Sequence, residues 1–205
     1  LDLIIHRDYG LPKLAAESLK DRLVICSSYS GNTEEVIEAF NEAKELNLPV
    51  AVVSIGGKLL ELAEANQISY VKLPDASIQP RSALGYSFLG IAKLLGLEDI
   101  LEVAAGLSKL QADNFKEDGK ILAEKLKGLV PVVYSSTRNG ALAFNWKIGF
   151  NETAKIPAFY NVFPELNHNE MTGFDIQAGT RQLSQNFAFI FLRDDEDFPK
   201  VQRRM

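Results

Sequence analysis

One cysteine and two histidines are all that this chain offers to disulfide and soft-metal chemistry. A lone Cys26 cannot form an internal bridge, and a Cys/His structural zinc needs more ligands than these, so neither a disulfide framework nor a zinc is expected to hold the fold. Positive charge is also in deficit. Lys and Arg number 22 against 27 Asp and Glu, for a formal net charge of -5, which argues against a broad basic surface for nucleic acid. Any anionic ligand must then be held by local chemistry. No apolar run approaches the ~20 residues that cross a bilayer, and the first residues lack the basic and apolar zones of a signal peptide, which makes the cytoplasm the expected compartment. Partners are expected to be small molecules or a second copy of the chain. What the sequence does have is apolar material: 46% of 205 residues are hydrophobic, enough for the core of one large domain or two small ones.

That apolar material is arranged as short runs alternating with helix-period segments, the pattern of an α/β protein with parallel sheets. Leu3 to Ile5, Leu23 to Cys26, Val50 to Ile55 and Ser69 to Val71 are strand candidates. Between them, Val36, Ile37, Phe40, Ala43 and Leu46 form one stripe of a helix from about Thr33 to Leu46; Lys58 to Ala65 and Leu84 to Leu95 are further helices, the last closed by Gly96. From Leu97 to Lys127 the chain reads as one or two helices linking two halves, with the boundary near residue 115. A second strand follows from Val130 to Tyr134. After it come the hydroxyl-rich turn Ser135-Ser136-Thr137-Arg138 and an apolar helix from about Ala141 to Phe150, so the halves read as divergent copies of one unit. Phe187 to Leu192 is the expected last strand, and Asp194 to Met205 the start of a polar helix. Phe144, Trp146 and Phe150 are expected in the core, and Cys26 as a buried strand residue.

The stretch CSSYSGNTEEV, residues 26 to 36, concentrates hydroxyls where a strand gives way to a helix. A helix N-terminus exposes unpaired N–H groups and the positive end of its dipole, so Ser28, Ser30 and Thr33 can add donors for a phosphate there while Gly31 lets the backbone approach closely. The competing reading is a capping box formed by Asn32 and Glu35. Capping accounts for one or two of the hydroxyls. No Gly-Lys-Ser/Thr follows and no G-x-S-x-G is present, which argues against nucleotide hydrolysis and serine esterase chemistry.

SYSGNTEE after an apolar strand resembles the phosphate loop of SIS (sugar isomerase) domains. The stretch FNETAKIPAFYNVFPELNHNEMTGF, residues 150 to 174, resembles the active-site region of the bifunctional phosphoglucose/phosphomannose isomerases, and Pro80-Arg81-Ser82-Ala83-Leu84-Gly85 fits the same pattern in the same order. The resemblance implies two SIS-type doubly wound, flavodoxin-like parallel-sheet domains in tandem. These are residues 1–115 without their first strand-turn-helix and 116–205 without their C-terminal helices, a chain trimmed at both ends. It implies catalytic roles for Glu152 as base, His168 as ring-opening group and Arg81 as a stabiliser of negative charge, with Ser28, Ser30 and Thr33 holding the phosphate. It implies neither metal nor organic cofactor, a hexose 6-phosphate substrate, and a homodimer in which His168 serves the partner's site. The expected reaction interconverts glucose 6-phosphate, and mannose 6-phosphate, with fructose 6-phosphate through a cis-enediolate. The alternative is a non-catalytic SIS module that binds a sugar phosphate and reports it to a partner. No phosphate is assigned to Ser135–Arg138, which departs from S-x-S-G-x-T, and His6 is assigned nothing.

Overall fold

The structure, a computed structural model, describes residues 2–175 and 177–205. Two compact units divide the chain between Leu110 and Gln111, a few residues ahead of the boundary read from the sequence.

In the first unit a short helix α1 (Ala16–Lys20) precedes a parallel sheet of β1 (Val24–Ser27), β2 (Val50–Ser54) and β3 (Ser69–Lys72), in the order β1-β2-β3. Helices α2 (Glu34–Glu45) and α3 (Gly57–Ala65) connect the strands, and α4 (Leu84–Leu94) and α5 (Glu98–Ala105) follow. The central strand is buried along its whole length, as expected for a strand covered on both faces. Val52 joins Cys26, Phe40, Ala43, Leu59 and Ala63 in one cluster, under α2 and α3. Its neighbour Val53 points the other way and joins Tyr29, Leu73, Ala83 and Ile91 of α4. Helices therefore cover both faces. Of the stripe read from the sequence, Phe40 and Ala43 are buried with Val36 packed beside them, while Leu46 caps the helix and is exposed; burying Phe40, 1% exposed, contributes about 2–3 kcal/mol.

Helices α2, α3 and α4 stop in one way. Asn47, Gln67 and Gly96 each take the left-handed conformation just past the helix, and the next amide donates back to Ala43, Ala63 and Ala92 respectively, which satisfies carbonyls that the helix end would orphan.

Leu3 to Ile5 is not a strand. A strand needs a ladder partner, and β1 pairs among the described residues only with β2, so Leu3 and Ile5 stand 71% and 69% exposed. The segment after them lies along α2, where the Leu11 amide donates to Glu42 at 2.7 Å.

In the second unit, α6 (Lys116–Leu126) leads to β4 (Val130–Ser136), α7 (Gly140–Gly149), β5 (Phe159–Phe163), α8 (Arg181–Ser184), β6 (Phe187–Leu192) and α9 (Pro199–Gln202). The sheet is again parallel, in the order β5-β4-β6. Between α5 and α6 lie only 3-10 turns, so the linking stretch is two helices. The expected strand at Phe187–Leu192 is present, but the sequence reading has no strand where β5 forms. The polar helix expected from Asp194 is delayed to Pro199. Phe198, held extended before the proline, cannot continue a helix, and the Gln202 carboxamide instead donates to the carbonyls of Asp194, Asp195 and Asp197. The residue of α7 that is fully buried is Ala143; Phe144, Trp146 and Phe150, expected in the core, are half-buried, Phe144 against Tyr160 and Trp146 against Phe150. Among the described residues no helix is long and apolar enough to cross a membrane.

Candidate active site

The hydroxyl-rich stretch forms the turn from β1 into α2, at the carboxyl end of the sheet. Ser28 is buried, and its Oγ lies 2.7 Å from Thr33 Oγ1 while accepting the Gly31 amide at 3.1 Å. Two hydroxyls joined by one hydrogen bond retain one O–H for a ligand. Ser30 is exposed, and its Oγ accepts the Asn32 amide at 3.3 Å. The capping box does not form: the helix starts at Glu34 with Thr33 as its cap residue, and no side chain caps it.

Asn32 instead ties this turn to the next one. Its Oδ1 accepts the amide of Lys58 at 3.0 Å, in the first turn of α3, and the Leu59 amide donates to the Gly31 carbonyl at 2.9 Å. Gly31 and Gly57 allow the contact. Both have positive φ, and a Cβ would fall 1.8 Å from the Gly56 carbonyl oxygen at the first and 2.5 Å from the Ser30 carbonyl oxygen at the second. The N-termini of two helices are thus locked side by side, and their dipoles favour an anion at the same edge. The sequence reading missed Asn32 and Gly57; the Gly56-Gly57 pair after β2 was the available signal.

Arg81 lies on a 3-10 turn, Pro80–Ser82, and is half-buried. Ala83, next to it, is fully buried against the cluster that holds Tyr29, the residue between Ser28 and Ser30. One apolar cluster therefore fixes both the Arg81 turn and the hydroxyl turn.

Glu152 and His168 belong to the second unit. Glu152 is exposed on a π-helical turn, Phe150–Ala154, that ends α7; Lys155 closes it in the left-handed conformation, and the Asn151 carboxamide donates across it to the Ile156 carbonyl at 3.0 Å. Irregular turns and strained residues of this kind concentrate at functional positions. His168 is exposed on the 3-10 turn Glu165–His168, just past the cis peptide bond Phe163–Pro164 that ends β5, with Leu166 fully buried beneath. Because α7 must run back from the carboxyl end of β4 to reach the start of the parallel strand β5, Glu152 stands at the amino edge of this sheet and His168 at the carboxyl edge. Strand β5 alone spans five residues, about 16 Å at about 3.3 Å each.

The second hydroxyl turn is closed by its own contacts. Thr137 Oγ1 donates to the Phe163 carbonyl at 2.8 Å, Asn139 donates to Asp194 at 2.9 Å, and Arg138 pairs with Glu196 and with Asp194. The Asn139 bond, the Glu196 amide and Arg138 together hold the Asp194 carboxyl below the usual carboxylate range. Carboxylates facing the turn disfavour an anion there. Among the described residues, no three or more His, Cys, Asp or Glu side chains are placed to hold a metal ion.

Residues 115–205 match the family described as bacterial phospho-glucose isomerase C-terminal SIS domain. The bifunctional phosphoglucose/phosphomannose isomerase of Aquifex aeolicus (strain VF5) is 34% identical over 202 residues, 98% of this chain and 61% of that protein. Its counterpart in Caldicellulosiruptor bescii is 35% identical over 220 residues, 100% of this chain and 63% of that protein. The fold is shared with the glucosamine-6-phosphate deaminase structure of Thermotoga maritima, at 18% identity and a TM-score of 0.58 over 91% of this chain and 63% of that one. The chain spans about three-fifths of the length of the curated relatives it matches. Over nearly its whole length the chain is thus similar to the bifunctional phosphoglucose/phosphomannose isomerases.

Proposed function

We propose that this chain is part of an aldose-ketose isomerase that interconverts glucose 6-phosphate and mannose 6-phosphate with fructose 6-phosphate. The observation that carries the reading is the pair of interlocked helix N-termini beside Ser28, Ser30 and Thr33, which together offer backbone N–H groups and hydroxyls suited to an anion. The substrate's phosphate is the group that fits it. The two units are read as two SIS-type doubly wound, flavodoxin-like domains acting in the cytoplasm.

The chemistry then needs three groups. His168 moves a proton between the ring oxygen and the C1 hydroxyl, opening the sugar, a task suited to an imidazole near neutrality. Glu152 takes the proton from C2 as the C1 carbonyl becomes an enediolate and returns it to C1, while the O2 hydroxyl proton passes to O1 and the carbonyl re-forms at C2, so no redox partner is consumed. Arg81 stabilises the oxyanion that develops between the two steps. Both C2 epimers are served if the same carboxylate reaches the C2 proton on either face after bond rotation.

The opposite placement of Glu152 and His168 on their sheet supports a homodimer in which His168 serves the partner's site. A single sugar is too small to be served by both residues of one chain across a gap of about 16 Å or more. Exposure of both residues agrees with this, since a second copy would supply the water exclusion that the single chain lacks.

The test is turnover by the full-length protein. It should form fructose 6-phosphate from either hexose 6-phosphate, and Ser28→Ala should lower kcat/KM about ten- to a hundredfold, the value of a hydrogen bond to a charged group. Sugar-phosphate binding without turnover would identify a sensor module instead.

A further inference from the structure

We propose that Glu170 is the positioning residue of the His168 turn, a role that rests on reading His168 as the ring-opening group. Glu170 follows His168 by two residues and is half-buried against the sheet. One carboxylate oxygen accepts the Tyr134 hydroxyl of β4 at 2.8 Å, and the other accepts the Asn161 carboxamide of β5 at 2.7 Å. One side chain thus clamps the turn to two strands.

Both donors are fixed. The Tyr134 ring is 1% exposed and packs against Phe163, Phe189 and Phe191. Burial, then the bond to Glu170, push its phenol above the ordinary value, so it remains a donor through the neutral range. The Asn161 carbonyl oxygen accepts the Val162 amide at 2.8 Å, which leaves its NH2 to face Glu170. Two converging donors require an acceptor at each oxygen, which a carboxylate provides and a carboxamide does not.

The backbone between Glu170 and the histidine is held as well. The Glu170 amide donates to Asn169 Oδ1 at 2.6 Å, Asn169 Nδ2 donates to Glu165 at 3.0 Å, and Thr172 Oγ1 donates to the Asn169 carbonyl at 2.6 Å. Leu166 anchors the turn on one side of His168 and Glu170 on the other, while the imidazole itself stays exposed. A buried polar triad adds little that an apolar side chain could not add to stability; what it adds here is direction.

In the full-length protein, Glu170→Ala is expected to lower kcat about ten- to a hundredfold with KM nearly unchanged, the usual effect of a misplaced catalytic group. Tyr134→Phe keeps the packed ring and should fall in the same direction by a smaller factor. The deciding measurement is the cycle with His168→Gln. If Glu170 acts through His168, the double variant turns over no more slowly than His168→Gln alone. A double variant slower by the full Glu170→Ala factor, or a Glu170→Ala enzyme as fast as the wild type, overturns the positioning role and leaves the histidine reading intact. A His168→Gln enzyme with unchanged kcat overturns the histidine reading, and the positioning role with it.

Discussion

Glu152→Gln lowers kcat for glucose 6-phosphate about a thousandfold in the full-length protein and changes KM little. The carboxamide matches the carboxylate in shape but cannot take a proton from carbon, and a general base of this kind contributes about 10²–10⁴ in rate. Binding should survive, because the phosphate is expected to be held in the other unit, by Ser28, Ser30 and Thr33. The same variant should stop exchange of the C2 proton with solvent deuterium. Turnover within a few-fold of the wild type would remove Glu152 from the mechanism.

The second large effect is on folding. Gly31→Ala places a Cβ 1.8 Å from the Gly56 carbonyl oxygen and 2.7 Å from Ser54 Oγ, at a φ of +73°. The left-handed conformation costs about 1–2 kcal/mol for alanine, and the backbone shift needed to relieve the overlap costs about 1–3 kcal/mol more, so the loss is about 2–5 kcal/mol. Backbone, unlike the end of a flexible side chain, cannot move aside cheaply. A fall in Tm of about 10 °C, read by calorimetry on the full-length protein, is the expected result. Gly119→Ala in α6, where nothing lies within 4 Å of the added carbon, is the control and should cost nothing. Equal melting of the two variants would mean that the two turns do not interlock as described.

What could be read from the sequence was what neighbours in the chain decide. Phe40 and Ala43 of α2 and the buried run of β2 follow from local periodicity and lie where the pattern put them, while Leu46, the last of the stripe, is the exposed cap of the helix. Leu3 to Ile5 has the same apolar character as a strand, but a ladder partner is not a property of three residues, and none pairs with them among the described residues. Strand β5 was hidden inside a motif whose resemblance drew attention to Glu152 and His168 rather than to the run Phe159–Phe163 between Pro157 and Pro164. The hydroxyls of the first turn were legible by type and spacing. The amide of Lys58 that Asn32 accepts comes from 26 residues away, and the Tyr134 hydroxyl on Glu170 from 36, so these partners could not be seen until the strands were in register.

Under the proposed function, that register also decides how one sugar could meet both Glu152 and His168. Mixing Glu152→Gln and His168→Gln subunits of the full-length protein tests it, since each variant alone is expected to keep only a small fraction of the wild-type rate. If Glu152 of one chain works with His168 of another, half of a random mixture is mixed dimer with one of its two sites intact, and about a quarter of the wild-type activity returns. If both residues of one chain serve one sugar, every site in the mixed dimer lacks a group. No activity on mixing, with mixed dimers shown to form, would contradict the account.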